Sequence, residues 1–216
     1  MFRYGEALPA HFVLPASFRW VLAKDLHNNP FSYVEVHAGD RVMDCGAAVG
    51  TFSVAALEAG ASVRAFEPLP KNAAILRDNV APYGERADVI EAALIPGPES
   101  SVWLAGGSGF PGTHSICSRA KVIKQKFLVP ALMFREQLIY YQPNVLKLDI
   151  EGGEYLLMPT LKLGDLASVH CVFIEFHPFD DREARIFAIA RYLQAEGLKI
   201  VHDRKRAFTA RRLEAS

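Results

Sequence analysis

Two periodicities alternate along the first half of the chain. Short apolar runs at Arg41–Cys45, Ala61–Phe66 and Ala87–Ala93 have the length and composition of buried strands. Between them the apolar positions fall at helical spacing. After Gly50, the residues Phe52, Ala55, Ala56 and Ala59 stand at i, i+3, i+4 and i+7, and Gly60 is placed to stop the helix. A second helix is expected over about Pro70–Val80, with Ile75 and Leu76 turned inward. Gly39-Asp40 turns the chain into the first of these strands. The order β-α-β-α-β favours a parallel sheet with right-handed crossovers.

The second half is less regular. Pro96 to Ser118 holds Gly97, Gly106, Gly107, Gly109, Gly112, Pro96, Pro98 and Pro111, which predicts a long irregular loop. In a doubly wound fold this loop would lie near the carboxyl ends of the strands, where substrates enter. His114 and Ser115 within it are candidate substrate contacts. An extended segment is expected at Lys121–Val129 and a helix at Ala131–Ile139. Two further strands follow, Asn144–Ile150 running into Glu151-Gly152-Gly153, and Ser168–Phe176 ending at Glu175-Phe176-His177-Pro178. Asp181–Glu196 carries Ile186, Ile189, Ala190 and Leu193 on one helical face. Leu198–His202 and Ala207–Arg211 can pair as a hairpin around a basic turn, read as a solvated tip. At the other end, Phe18, Val21, Leu22 and Leu26 allow a short amphipathic helix, broken at Asn28-Asn29-Pro30.

Composition narrows the class. At 216 residues, half of them hydrophobic, one domain is expected, with residues 1–38 as an arm and 39–216 as the core. Lys+Arg and Asp+Glu both number 24, so broad electrostatic capture of nucleic acid or an anionic membrane is not favoured. Cys45, Cys117 and Cys171 are an odd number at wide spacing, reading as small hydrophobes in a reducing compartment. Without a signal core or a membrane-length apolar run, a soluble cytoplasmic protein is expected.

The chemistry begins at Val42-Met43-Asp44-Cys45-Gly46-Ala47-Ala48-Val49-Gly50-Thr51. A pyrophosphate binder wants G-x-G-x-x-G so that backbone N–H groups can approach the phosphates. Here the later glycine positions hold Ala48 and Thr51, and a carboxylate, Asp44, precedes the turn. An acid there repels phosphate and attracts a ligand with ammonium and sulfonium groups, as in S-adenosylmethionine. Glu67 follows at the distance where an acid grips ribose hydroxyls. In the later strand, a period of two puts Lys147, Asp149 and Glu151 on one side. Burying them is costly unless they pair or meet a ligand, which points to a cluster beside the reacting atoms.

Together these motifs resemble the FkbM family of S-adenosylmethionine-dependent methyltransferases. The matching residues are Val42–Phe52 with Glu67-Pro68, then Leu146–Glu154, then Ile174–Pro178. One departure is Ala48, where family members have Asn. The resemblance implies an α/β, Rossmann-like class I methyltransferase: a mostly parallel seven-stranded sheet, helices on both faces, an antiparallel strand near its end. It also implies methylation of hydroxyl oxygens on small molecules, sugars or glycans. Cofactor contacts are expected from Asp44, Gly46, Ala47 and Gly50 at the methionine end and from Glu67 and Pro68 at the ribose. Ala92 and Ala93 are expected near adenine, and Asp149 beside the transferred methyl.

An alcohol needs a base to take its proton. Asp149, Glu151 and His177 are the candidates, His177 because an ordinary imidazole titrates near neutral pH. Lys147 is expected to orient a carboxylate. No metal is assigned, although Asp149 with Glu151 could hold a divalent cation. The alternatives are a catalytically silent S-adenosylmethionine-binding partner in an assembly, a ribose methyltransferase acting on nucleic acid, and a dehydrogenase, disfavoured by the absent second glycine. Acceptor identity and oligomeric state are not legible.

Overall fold

The computed structural model describes residues 8–19, 31, 33–106, 114–115, 125–177, 181–204 and 207–213. The expected helix around Val21, Leu22 and Leu26 and the third cysteine, Cys117, lie outside them.

Strand β1 (Arg41–Cys45) runs parallel to β2 (Ser62–Phe66), and β2 to β3 (Ala87–Ile90). On its other side β1 pairs in parallel with β8 (Val145–Leu148), and β8 with β9 (Cys171–Glu175). A hairpin of β10 (Lys199–Arg204) and β11 (Ala207–Arg211) closes the sheet, β11 inserting antiparallel between β9 and β10. The spatial order is therefore β10-β11-β9-β8-β1-β2-β3, the expected mostly parallel seven-stranded sheet. The chain winds one way from β1 through β3 and the other way from β8 onward, so β1 and β8 border the point where strand order reverses. In such sheets ligands bind in the crevice beyond the strand carboxyl ends at that place.

Both faces are covered, which is why the central strands read as continuous apolar runs. Along β1, Met43 and Cys45 enter one core and Val42 the other. On the second face lie α1 (Thr51–Glu58) and α2 (Pro70–Val80), contributing Phe52, Leu57, Leu76 and Val80. Helix α1 ends as its sequence predicts, with Gly60 at φ 91° and the Ala61 N–H donating to Ala56 O at 3.1 Å. The first face is covered by α3 (Phe134–Tyr141), the single turn α4 (Glu154–Leu157) and α5 (Arg182–Ala195). Described parts of the arm pack on the core: Phe31, Val34 and Val36 are buried, and Val13 exchanges backbone hydrogen bonds with the Asn79 side chain of α2.

Three expectations are corrected. The strand expected over Ala87–Ala93 breaks after Ile90, and β4 (Ala93–Ile95) joins a different sheet. That sheet, of order β4, β7 (Gln125–Met133), β5 (Ser101–Gly106) and β6 (His114–Ser115), occupies part of the segment expected to be an irregular loop. Its β5 (Ser101–Gly106) alternates, with Leu104 buried and Trp103 exposed, a signal masked by the surrounding glycines and prolines. The helix expected from Ala131 begins at Phe134, because β7 (Gln125–Met133) takes 131–133 into parallel pairing with β4. Pro130 marks the residue where β7 changes partner, leaving β5 for β4. A residue with no N–H is tolerated where a ladder changes sides.

Candidate active site at the strand carboxyl ends

The turn after β1 is built by close backbone approach. Gly46 has φ 82°, and a β-carbon there would collide with the Asp149 carbonyl oxygen. The N–H groups of Gly46 and Ala47 both donate to Phe66 O at 3.0 Å, fixing the turn to the end of β2. Gly50 has φ 93°, and a side chain there would press into Leu76. The buried Asn79 amide donates to Val49 O at 2.8 Å, joining the turn, α2 and the arm. Ala48 has φ 51°, the left-handed region that Asn tolerates far better than Ala, which gives the departure from the family pattern a backbone cost.

Asp44 and Lys147 are register partners across β1 and β8 and face the same side. Asp44 is fully buried; Ser53 Oγ donates to its Oδ2 at 2.6 Å, and Lys147 Nζ pairs with Oδ1 at 3.0 Å. Lys147 Nζ also donates to Gly46 O at 2.8 Å and stands 3.7 Å from Asp149 Oδ2. Burial alone would favour neutral Lys147, but Asp44 and Asp149 hold its pKa above the ordinary range. This lysine is thus a fixed charge tying the first turn to the end of β8.

Glu67, at the end of β2, is also nearly buried. Its Oε2 accepts the Ala48 N–H at 2.9 Å, and its Oε1 accepts the Leu69 N–H at 2.9 Å and the Asn72 amide at 3.3 Å. Burial pushes its pKa up to about 7, against those donors, which pull it down. Pro68 continues the same turn. Beyond β3, the Ala92 N–H donates to Ile90 O, and Ala92 and Ala93 are both buried beside the carboxyl end of that strand.

Asp149 and Glu151 do not reach the site by strand alternation, because β8 ends at Leu148. A tight turn places them, with Glu151 at φ 56° and Gly152 at φ 100°. The turn is pinned by the fully buried Glu154, whose two carboxylate oxygens accept the Ile150 N–H at 2.8 Å and the Gly152 N–H at 2.9 Å. His177 then closes the group from the segment after β9. Its Nδ1 lies 3.2 Å from Glu154 Oε1, and its Nε2 3.4 Å from Glu151 Oε2 and 3.8 Å from Asp149 Oδ1. Tyr155, buried in α4, donates its hydroxyl to His177 O at 2.9 Å. Burial would lower the His177 pKa, but the Glu154 hydrogen bond and the Asp149 and Glu151 charges push it up to about 10. An ordinary imidazole would titrate near neutrality; these neighbours instead favour the imidazolium form of His177, which makes it a weaker candidate for the base than Asp149 or Glu151.

The structure thus gathers Asp44, Gly46, Ala47, Gly50, Glu67, Lys147, Asp149, Glu151 and His177 at the carboxyl ends of β1, β2, β8 and β9. His114 and Ser115 form the short edge strand β6, paired with Gly106 and Ala105 in the second sheet, and their side chains lie outside the described residues. Sequence reasoning missed Ser53, Asn79 and Tyr155 and gave Glu154 no role. Of these only Glu154 left a signal, as the last acid of the Lys147–Glu154 stretch. Ligand atoms of Asp149, Glu154 and His177 lie within 4.8 Å of one another, and both Glu154 oxygens also accept N–H groups of the turn.

The donor set fits S-adenosylmethionine. Asp44, Asp149, Glu151 and Glu154 outnumber the two cationic groups they pair with, Lys147 and His177, so the crevice favours a cationic ligand over a phosphate.

The chain matches the family model for the methyltransferase FkbM domain over residues 44–200. No curated protein matches it. Its fold is similar to that of Aeropyrum pernix fibrillarin in complex with natively bound S-adenosyl-L-methionine: 15% identity, 90% of this chain and 75% of that chain, TM-score 0.48. It is similar to magnesium protoporphyrin IX methyltransferase from Synechocystis PCC 6803 with bound SAM: 16% identity, 90% and 75%, TM-score 0.45. A third is precorrin-6y C5,15-methyltransferase from Geobacter metallireducens: 12% identity, 94% and 92%, TM-score 0.48.

Proposed function

The chain belongs to the FkbM-domain methyltransferases and is an S-adenosylmethionine-dependent enzyme, and we propose that it methylates a hydroxyl oxygen of a small molecule, sugar or glycan. The observation that carries this reading is the pair Asp149 and Glu151, held beside the Gly46 turn with an imidazolium behind them. S-adenosylmethionine supplies a methyl group already activated on sulfonium. What remains for the protein is to hold a hydroxyl in line and remove its proton. Positioning can supply up to about 7–11 kcal/mol, and a base about 10²–10⁴-fold more.

In this reading Asp44, Gly46, Ala47 and Gly50 hold the methionine end, with Asp44 acting through the turn that Lys147 ties to it. Glu67 and Pro68 receive the ribose, and Ala92 and Ala93 flank the adenine. Asp149 or Glu151 would accept the hydroxyl proton, while S-adenosylmethionine held by the residues above would supply the methyl group to the oxygen. His177, already protonated, positions these carboxylates and offsets their mutual repulsion. His114 and Ser115 remain candidates for the acceptor side.

The test is turnover with methyl-labelled S-adenosylmethionine over a panel of hydroxyl-bearing small molecules, sugars and ribose-containing RNA, the modified atom assigned by mass spectrometry and NMR. Label on the oxygen of a small molecule or sugar is the expected outcome. Label on nitrogen or carbon, or on RNA alone, would replace this reading. Cofactor binding without turnover on any acceptor would favour a silent module.

A further inference from the structure

We propose that the amino-terminal edge of the central sheet carries a second, unrelated site: a divalent transition-metal site formed by His37, Asp40 and His170, for a zinc-like ion. His37 and Asp40 flank the Gly39 turn into β1, and His170 immediately precedes β9. The cluster is therefore at the opposite end of the strands from the Gly46 turn. His170 Nε2 lies 3.1 Å and His37 Nδ1 3.5 Å from the same oxygen, Asp40 Oδ2. All three ligand atoms are within 4.8 Å of one another, and the two imidazole rings are 5.4 Å apart.

The spacing admits an ion. A tetrahedral ion holding nitrogen and oxygen ligands at about 2.0–2.1 Å separates neighbouring ligand atoms by about 3.3–3.4 Å. The two observed distances bracket that value, the shorter also being of hydrogen-bond length. The chemistry discriminates. Two imidazoles with one carboxylate suit zinc, cobalt or nickel, whereas magnesium and calcium want oxygen ligands. Solvent can supply the remaining coordination position, because the His37 side chain is 65% exposed.

The frame beneath the ligands is fixed before any ion arrives. The His37 N–H donates to Asp40 Oδ2 at 2.7 Å, and the Asp40 N–H to His37 O at 3.1 Å. The Gly39 N–H donates to Gly60 O at 3.0 Å. The His170 N–H donates to Asn144 O at 2.8 Å, and the same Asn144 accepts the Arg41 N–H through its side chain at 3.0 Å. Preorganised backbone of this kind is what a metal site needs. An ion here would lock the entry to β1 to the entry to β9, across β8. It takes no part in methyl transfer.

The experiment is titration of the metal-free full-length chain with Co²⁺, followed by displacement with Zn²⁺, reading the visible ligand-field bands of cobalt. One Co²⁺ per chain with the intense spectrum of four-coordination is expected, bleached by Zn²⁺ and not by Mg²⁺. Removing one ligand should weaken binding by more than about 100-fold, since even outer partners of metal ligands are worth 10–100-fold. His37→Ala, at an exposed position, and His170→Ala should both lose the spectrum, while Asp149→Asn, at the other end of the sheet, should keep it. Absence of the bands, bands that survive both histidine substitutions, or bands lost with Asp149→Asn would each overturn the site. Any of these results leaves the methyltransferase reading untouched.

Discussion

The two ends of one sheet use the same side chains in opposite proportion. At the carboxyl end a single imidazole, His177, faces the three carboxylates of Asp149, Glu151 and Glu154. At the amino end two imidazoles, His37 and His170, face the single carboxylate of Asp40. Proportion decides the chemistry. Surplus carboxylate holds a proton on the imidazole and leaves an anionic patch able to receive a cation or a hydroxyl proton. Surplus imidazole leaves nitrogen lone pairs, the ligands that borderline metals prefer. The first cluster is half-buried against a pinned turn, and the second opens to solvent.

The largest expected effect removes the surplus at the carboxyl end. Asp149→Asn and Glu151→Gln should each be tested for turnover and for S-adenosylmethionine affinity by calorimetry. The variant that removes the base should lose about 10²–10⁴ in kcat while binding the cofactor nearly as well. If neither loses more than a few-fold, the proton goes elsewhere. Next in size is Lys147→Met, which strands the fully buried Asp44 beside Ser53 without its cation. Breaking a buried pair by removing one partner costs about 3–5 kcal/mol, measurable by urea unfolding. The double variant with Asp44→Asn should recover part of that loss. Recovery of nothing would mean Lys147 matters chiefly through Gly46 and Asp149.

How much of this was legible follows from the range of each interaction. The boundaries of α2 and β1 are local, written in Pro70 at the first helical position and in the Gly39 and Gly46 turns around a short apolar run. The acids at 44, 67, 149 and 151 stand out in the sequence because each sits at or just past the end of a strand. The second sheet was not found, since β4, β5 and β7 are joined by pairings between distant segments and Gly/Pro density hid the alternation of Trp103 and Leu104. His177 is legible as a residue after a strand, but the upward shift of its pKa is not, because that depends on Glu154, whose carboxylate is placed only by the folded turn. His170 and Asp40 are 130 residues apart, and nothing local announces their contact.

The raised His177 pKa gives a prediction with a definite sign. An imidazole whose folded pKa of about 10 exceeds its ordinary value of 6.5 contributes stability fully present below about pH 6.5 and lost as pH rises through 10. Urea unfolding at pH 6, 8 and 10 should show that decline in the wild type and a flatter profile in His177→Gln. The kcat/KM profile should show no inflection near 6.5 that depends on His177, any inflection near 7 belonging to Glu67 and persisting in His177→Gln. An inflection there that disappears in His177→Gln would show a free imidazole base and undo the contrast between the two ends.

Backbone strain is a smaller difference. The turn after β1 puts Ala48 at φ 51°, whereas the His37 turn gives its left-handed position to Gly39 at φ 88°. Ala48→Gly should relieve about 1–2 kcal/mol of strain and lose about 0.4–1 kcal/mol to greater freedom of the unfolded chain, a net gain of about 0–1.6 kcal/mol. Ala48→Asn avoids the second loss and should stabilise at least as much. A destabilised Ala48→Asn would mean that its side chain disturbs the Glu67 contact with the Ala48 N–H.

The smallest effect lies at the amino end and is informative because it should be small. In metal-free protein the His37 side chain makes solvent-exposed contacts with Asp40 and the His170 ring, so His37→Ala should change unfolding free energy by less than about 0.5–1 kcal/mol. With saturating Zn²⁺ the same comparison should widen, because an ion bound only by the folded state stabilises the wild type and not the variant. At the carboxyl end the order reverses, since Lys147→Met is costly with no ligand present. A large loss in metal-free His37→Ala would mean that the turn before β1 depends on the imidazole for folding. The amino-end cluster would then be a structural ion pair, and the contrast in proportion between the two ends would carry no chemistry.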